Sequence, residues 1–232
     1  MFFGAATLIG YAALLFFVGA PGVAPGQMDP TANLPRWVDL AAFSRAHLLR
    51  MWPTDPEGLL STPAAVVTVL LGCWVGRGLV NRPLSYRRGA LIIASGFICS
   101  MLGWAMSPVL PIIKMIWTPT YVLFTGGWAM MCYGLCYLFS DMRPAERWLW
   151  GLQIFGRNAI FSYVLSELAH RAFSAFEVHG TPFSMFMTDC MVNLSCGFIS
   201  EKLGSLLYAC MSTFVIWYIS YMLYQRRWFI RV

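Results

Sequence analysis

Leu59–Val80, reading LLSTPAAVVTVLLGCWVGRGLV, is a run of 22 residues with a single charge, Arg77. A helix rises about 1.5 Å per residue and a bilayer core is about 30 Å thick, so about 20 apolar residues cross it. The run therefore reads as a membrane helix. Five more runs of similar character follow or precede it: Phe2–Ala20, Gly89–Met106, Ile116–Phe139, Trp148–Ala169 and Leu203–Tyr224. Repeated runs of this length exclude a β-barrel, whose strands alternate and are about half as long. The expected fold is all-α, a polytopic integral membrane bundle of about six transmembrane helices forming one domain over residues 1–232.

Composition agrees. The chain is 59% apolar and 11% charged, with a mean hydropathy of +0.64. A soluble domain covers itself with roughly 25% charged residues, so the lipid bilayer must be the main solvent here. The net charge of +6 lies in short loops and reads as topology, with no basic stripe to suggest a nucleic-acid partner. Placing Arg77, Arg82, Arg87, Arg88, Arg143, Arg147, Arg226, Arg227 and Arg231 inside leaves Arg36, Arg45, Arg50, Lys114, Arg171 and Lys202 outside, mostly in longer loops. Both termini are then cytoplasmic. Trp37, Trp52, Trp117, Trp148, Trp150 and Trp228 fall near run ends, as an interfacial aromatic belt requires.

Two loops are too long to be plain connectors. Residues 21–57 form an extracytoplasmic loop, proline-rich at first and then amphipathic from Arg36 to Trp52, where Trp37, Leu40, Ala41, Phe43, Leu48 and Met51 recur at helical spacing. Phe176–Lys202 reads as a second interfacial or re-entrant segment. The first run starts at Met1 with no basic residues before it, and Gly19–Ala24 resembles a cleavage site. The alternative is that the chain is the back part of a longer protein.

Seven cysteines are present. Cys132 and Cys136 share a helix face, but with no histidine or carboxylate nearby they read as packing, and no metal is expected. Cys190 and Cys196 fall in one loop, where a disulfide is conceivable.

Ionisable residues beside lipid are costly and so draw functional attention. Asp55 and Glu57 flank Pro56 at the mouth of the second run. They either complement the helix dipole or orient and deprotonate a polar acceptor. Lys114 and Trp117 open the fourth run. Lys114 either snorkels to the interface or meets a phosphate or carboxylate. In the fifth run Asn158, Ser162, Ser166 and His170 form one polar stripe, with Glu167 beside it. Interhelical hydrogen bonding accounts for the serines and adequately for Asn158. Glu167 is either a ligand-facing carboxylate or a surface ion-pair partner of Arg171. His47, in the amphipathic segment, is either a surface residue or a base. No Walker loop, dinucleotide fingerprint, HExxH or GxSxG is present.

Four ordered blocks carry a resemblance. The first is Ala32-Asn33-Leu34, Val38-Asp39, Arg45-Ala46-His47-Leu48, Asp55-Pro56-Glu57-Gly58-Leu59-Leu60-Ser61-Thr62 and Leu70-Leu71-Gly72. Lys114 with Trp117-Thr118-Pro119-Thr120-Tyr121-Val122-Leu123 is the second. Phe155-Gly156-Arg157-Asn158-Ala159-Ile160, Tyr163 and Ser166-Glu167 make the third, and Tyr224-Gln225-Arg226-Arg227-Trp228-Phe229-Ile230 the fourth. From about Ala32 onward their order resembles the C-terminal half of the heparan-α-glucosaminide N-acetyltransferase family and its bacterial homologues.

The resemblance implies transmembrane acetylation, with acetyl-CoA as acyl donor and a small-molecule amino sugar as acceptor, in a bacterial inner membrane. It also implies a catalytic histidine in a His-x-x-Trp-Asn-Gly-like motif. None of His47, His170 or His179 has that context. The chain is therefore expected to be inactive alone, completed by an N-terminal half or by a homo-oligomer. Candidate catalytic residues are Asp55, Glu57 and His47; candidate substrate-binding residues are Lys114, Trp117, Asn158 and Glu167. The competing expectation is a non-catalytic transporter-like or scaffolding membrane protein.

Overall fold

The computed structural model describes residues 2–48, 53–142, 146–178, 180–194 and 201–230. Arg50, Trp52, Arg143, His179, Cys196 and Arg231 lie outside them, and so does the proposed Cys190–Cys196 pairing. The described residues are 72% helical with almost no sheet, an all-α protein. It divides into two compact units, residues 1–144 and 145–232.

In the first unit, α1 (Phe2–Phe17) leads into a two-stranded hairpin, β1 (Met28–Asp29) and β2 (Ala32–Asn33). Then come α2 (Leu34–Phe43), a 3-10 turn (Arg45–His47), α3 (Thr62–Leu79), α4 (Tyr86–Ala105) and α5 (Pro119–Cys136). A π turn, Tyr137–Asp141, extends α5. Prolines sit at the starts of α2, α3 and α5, where a missing N–H costs nothing. The second unit has α6 (Glu146–Arg157), α7 (Ala159–Ala175), a hairpin of β3 (Glu177–Val178) and β4 (Thr181–Pro182), α8 (Phe183–Leu194) and α9 (Glu201–Gln225).

Four helices are long and apolar enough to cross a membrane: Thr62–Leu79, Tyr86–Ala105, Pro119–Asp141 and Lys202–Gln225. Their side chains point largely outward; Val69, Ile98, Trp104 and Phe214 are all more than half exposed. In water such a surface would aggregate, and in lipid it is solvated. The other two expected spans differ. The first is a helix of 16 residues. The fifth is interrupted: α6 ends at Arg157, Asn158 adopts φ −128 and ψ 42, and α7 begins one residue later. Of the amphipathic segment expected over Arg36–Trp52, the described residues are α-helical to Phe43, with the 3-10 turn Arg45–His47 after it; residues 49–52 lie outside them.

Helices α4 and α5 meet backbone to backbone. A Cβ on Gly96 would stand 2.6 Å from the Gly127 carbonyl, and one on Gly103 would stand 2.7 Å from the Phe124 nitrogen. Gly127 fits equally tightly against Gly96 and Ser100. Ser100 Oγ donates to the Phe124 carbonyl at 2.9 Å. Small residues with an interhelical hydrogen bond are how helices associate where lipid removes the hydrophobic drive between them. One apolar cluster of this unit joins α1, α3 and α5, through Tyr11, Leu15, Ala64, Val67 and Val122, with Leu110 from the α4–α5 connection, and a second joins α3, α4 and α5 through Val75, Ile92 and Met130.

Candidate functional site

The polar groups of the first unit converge where α1 ends and α3 and α5 begin. Asx geometry sets the turn at Asp55: its Oδ1 accepts the Glu57 N–H at 3.0 Å. Asp55 and Pro56 are half-buried and Glu57 is exposed. The Gly58 carbonyl then accepts from Ser61 Oγ at 3.0 Å and Thr62 Oγ1 at 2.8 Å, fastening the turn to the head of α3.

The element that closes over this turn is α2, and it does so with Asp39. Its Oδ1 accepts the Leu59 N–H at 2.8 Å. Oδ2 is buried and has no hydrogen-bond partner among the described residues. Gly58 is required opposite it, because Oδ2 fills the space a Cβ would take. Burial is the main influence on this carboxyl and lifts its pKa above the ordinary carboxylate value; the Leu59 N–H opposes the lift and the Asp55 charge adds to it. Asp39 and Asp55 are thus within electrostatic reach of one another. Around them, Asn33 caps α2 by accepting the Arg36 N–H at 2.9 Å, and its Nδ2 donates to Thr54 Oγ1 at 2.9 Å. Thr54 Oγ1 donates to the Pro30 carbonyl at 2.6 Å, and the Arg36 guanidinium donates to the Pro53 carbonyl.

Beside this cap runs the α4–α5 connection. Tyr11 of α1 donates its hydroxyl to the Ile116 carbonyl at 2.5 Å. Trp117 takes a left-handed φ of 50 and donates from Nε1 to Thr68 Oγ1 of α3 at 3.1 Å. A bulky residue at positive φ is uncommon and is held there by surrounding contacts. Thr118 caps α5, accepts the Ile113 N–H at 3.0 Å and donates to the Pro111 carbonyl at 2.9 Å. Lys114 rides exposed on this anchored turn, and Trp117 lies half-buried in it.

His47 is exposed, and its Nδ1 lies 2.9 Å from the Phe43 carbonyl, so the ring binds its own turn. Asn158, in the second unit, is fully buried and occupied at both ends. Its Nδ2 donates to the Trp228 carbonyl at 3.1 Å, and its Oδ1 accepts the Ile230 N–H at 3.0 Å. One turn on, the Ser162 and Ser220 hydroxyls meet at 2.9 Å, joining α7 to α9. The Arg157 guanidinium stands 5.9 Å and 5.5 Å over the Tyr224 and Phe229 rings. The polar stripe of α7 is therefore answered by protein at Asn158 and Ser162. Glu167 and His170 are exposed.

The structure thus gathers Asp55 and Glu57 with Asp39 at one cap and Lys114 with Trp117 on one turn, while Asn158 and Glu167 belong to the second unit. Tyr11 and Thr68 carry no signal in the sequence, and Asp39 enters it only within the first of the four blocks, with no role attached. Among the described residues, no group of His, Cys, Asp and Glu could hold a metal ion. No protein-family model matches the sequence, and neither does any curated protein.

Proposed function

We propose that the protein is a membrane acetyltransferase component that holds an amino-sugar acceptor at the cap over α3. The order of motifs from Ala32 onward supports this reading. The observation that carries it is the carboxylate pair, with Asp39 buried, one oxygen bare, beside the half-buried Asp55.

In this reading Asp39 is a positioning residue that fixes the 55–59 turn, and Asp55 is the carboxylate that meets the acceptor. The acceptor ammonium gives a proton to Asp55. The acetyl group would cross on the histidine that a partner supplies: as that histidine takes the acetyl, the C–S bond of acetyl-CoA breaks and the thiolate takes the proton the imidazole gives up. The free amine then attacks the acetyl carbon, the N–C bond forms, the bond to the histidine breaks, and the proton lost by nitrogen returns to the imidazole. Trp117, tied to Thr68 of α3, and Lys114 on the same turn would orient the sugar. The arginine-rich loops would lie in the cytoplasm of a bacterial inner membrane, with both termini on that side.

The test is transfer from labelled acetyl-CoA to glucosamine by the purified chain in liposomes, alone and with a separately expressed partner carrying the histidine motif. Transfer that is lost in Asp55→Ala supports the proposal. Transfer that survives alanine at both Asp55 and Glu57 removes it. A second reading, a non-catalytic transporter-like or scaffolding membrane protein, draws on the sequence, in which none of His47, His170 and His179 has the context of the family's histidine motif. No transfer in either arm favours that second reading.

A further inference from the structure

A groove of about 400 Å³ lies between α3 and α4, away from the cap. Its walls are apolar, formed by Trp74, Val75, Leu91 and Ile92, yet Arg77 and Arg88 both border it. Both helices are of membrane-crossing length and composition, so these walls stand at the depth of acyl chains. Arg77 lies in the last turn of α3 and Arg88 in the first turn of α4, the level of the headgroups. Arg88 is held in place by donating from Nη1 to the Pro83 carbonyl at 2.6 Å. A guanidinium has five donors in a fixed fork, so most remain for a second partner.

The segment between Gly76 and Gly89 contains Arg77, Arg82, Arg87 and Arg88 and no acid. Ser95 also borders the groove, seven residues beyond Arg88 and so about 10 Å deeper along α4. A cavity with two cations at one end, a hydroxyl below them and apolar walls matches one chemistry: a phosphate head joined through esters to hydrocarbon. Basic pockets between membrane helices bind anionic lipid heads on this principle.

We propose that the α3–α4 groove is a binding site for an anionic phospholipid. Arg77 and Arg88 take the phosphate, and an acyl chain lies along Trp74 and Ile92. This site is separate from the Asp39–Asp55 cap and does not depend on the activity proposed for it.

The experiment is native mass spectrometry of the full chain in detergent, titrated with phosphatidylglycerol and, separately, phosphatidylcholine. Phosphatidylglycerol is expected to bind more tightly, and Arg77→Gln to weaken it about fivefold, the effect of one basic residue near an anionic headgroup. Arg77→Gln with Arg88→Gln should bring both lipids to the same affinity, while Arg77→Lys keeps the preference and Arg226→Gln leaves it unchanged. Among the described residues the Arg77 side chain makes no bond to the α3–α4 connection, unlike Arg88, so the single variant remains informative if Arg88→Gln disturbs the fold. Equal binding of the two lipids by the wild-type chain would overturn the proposal. So would displacement of phosphatidylglycerol by water-soluble acetyl-CoA, which would make the groove a nucleotide-phosphate site.

Discussion

The Asp39 carboxylate occupies the place that a side chain on Gly58 would need. Two residues 19 apart in sequence thus exclude each other's alternatives. Position 58 must be bare because Asp39 is there, and Asp39 keeps its bond to the Leu59 N–H because position 58 is bare.

Gly58→Ala should therefore destabilise the first unit. Overpacking a closed site costs about 1–3 kcal/mol. Asp39→Ala removes the obstruction, so the double variant should lose less than the sum of the two single losses. Thermal unfolding of the four proteins in one detergent measures the coupling, and strictly additive losses would contradict the contact.

The raised pKa of Asp39 sets a direction for pH. Below the ordinary carboxylate value, 3.8, the group is neutral in both folded and unfolded chains and its contribution to stability is fully present. As pH rises above that value the unfolded chain releases its proton first, so stability falls until the folded carboxyl ionises too. Asp29 acts oppositely, since its bonds to Thr31 lower its pKa, and it does so equally in wild type and Asp39→Asn. Melting curves of the pair across mildly acidic pH should show Asp39→Asn gaining on the wild type as pH rises. A constant gap would refute the assignment.

Tyr11→Phe and Trp117→Phe each remove one bond to the turn that carries Lys114, at a cost of about 1 kcal/mol each. Their effect should be local. Hydrogen exchange ought to quicken over residues 111–118 while the α4–α5 seam stays protected.

Asn158→Ala deletes two bonds to the C-terminal segment. The Ile230 amide should exchange faster and the unit should lose about 1–3 kcal/mol, the range for leaving buried partners unmade. If acetyl transfer is established, a drop in transfer without any change in the tail would instead give Asn158 a role at substrate.

Run length and sparse charge made the all-α membrane fold legible in the sequence, because lipid constrains helix length more tightly than water does. The interruption at Asn158 was less legible: an asparagine among small polar residues is compatible with a continuous helix, and its partners, Trp228 and Ile230, lie 70 and 72 residues away. Asp39 was hidden by a reversal of the usual pattern. In α2 the aromatic Trp37 and Phe43 are exposed, while Leu34, Pro35 and Asp39 are buried. Asp39 lies one turn from Phe43 and Leu34 one turn from Trp37 on the same faces of the helix, so periodicity alone does not separate the aromatic residues from the buried ones. Lys114 and Trp117 were legible as a pair, but the left-handed turn joining them to α3 depends on Thr68, far away in the chain.

The seam between α4 and α5 carries a mechanical consequence. Where side chains separate two helices, rotamer changes absorb small displacements; where backbone packs on backbone, as at Gly96 and Gly127, there is nothing to yield. These two helices should travel as a single strut. Any motion that admits a ligand to the cap must then come from α1, α2 and the start of α3, hinged against a wall that does not give.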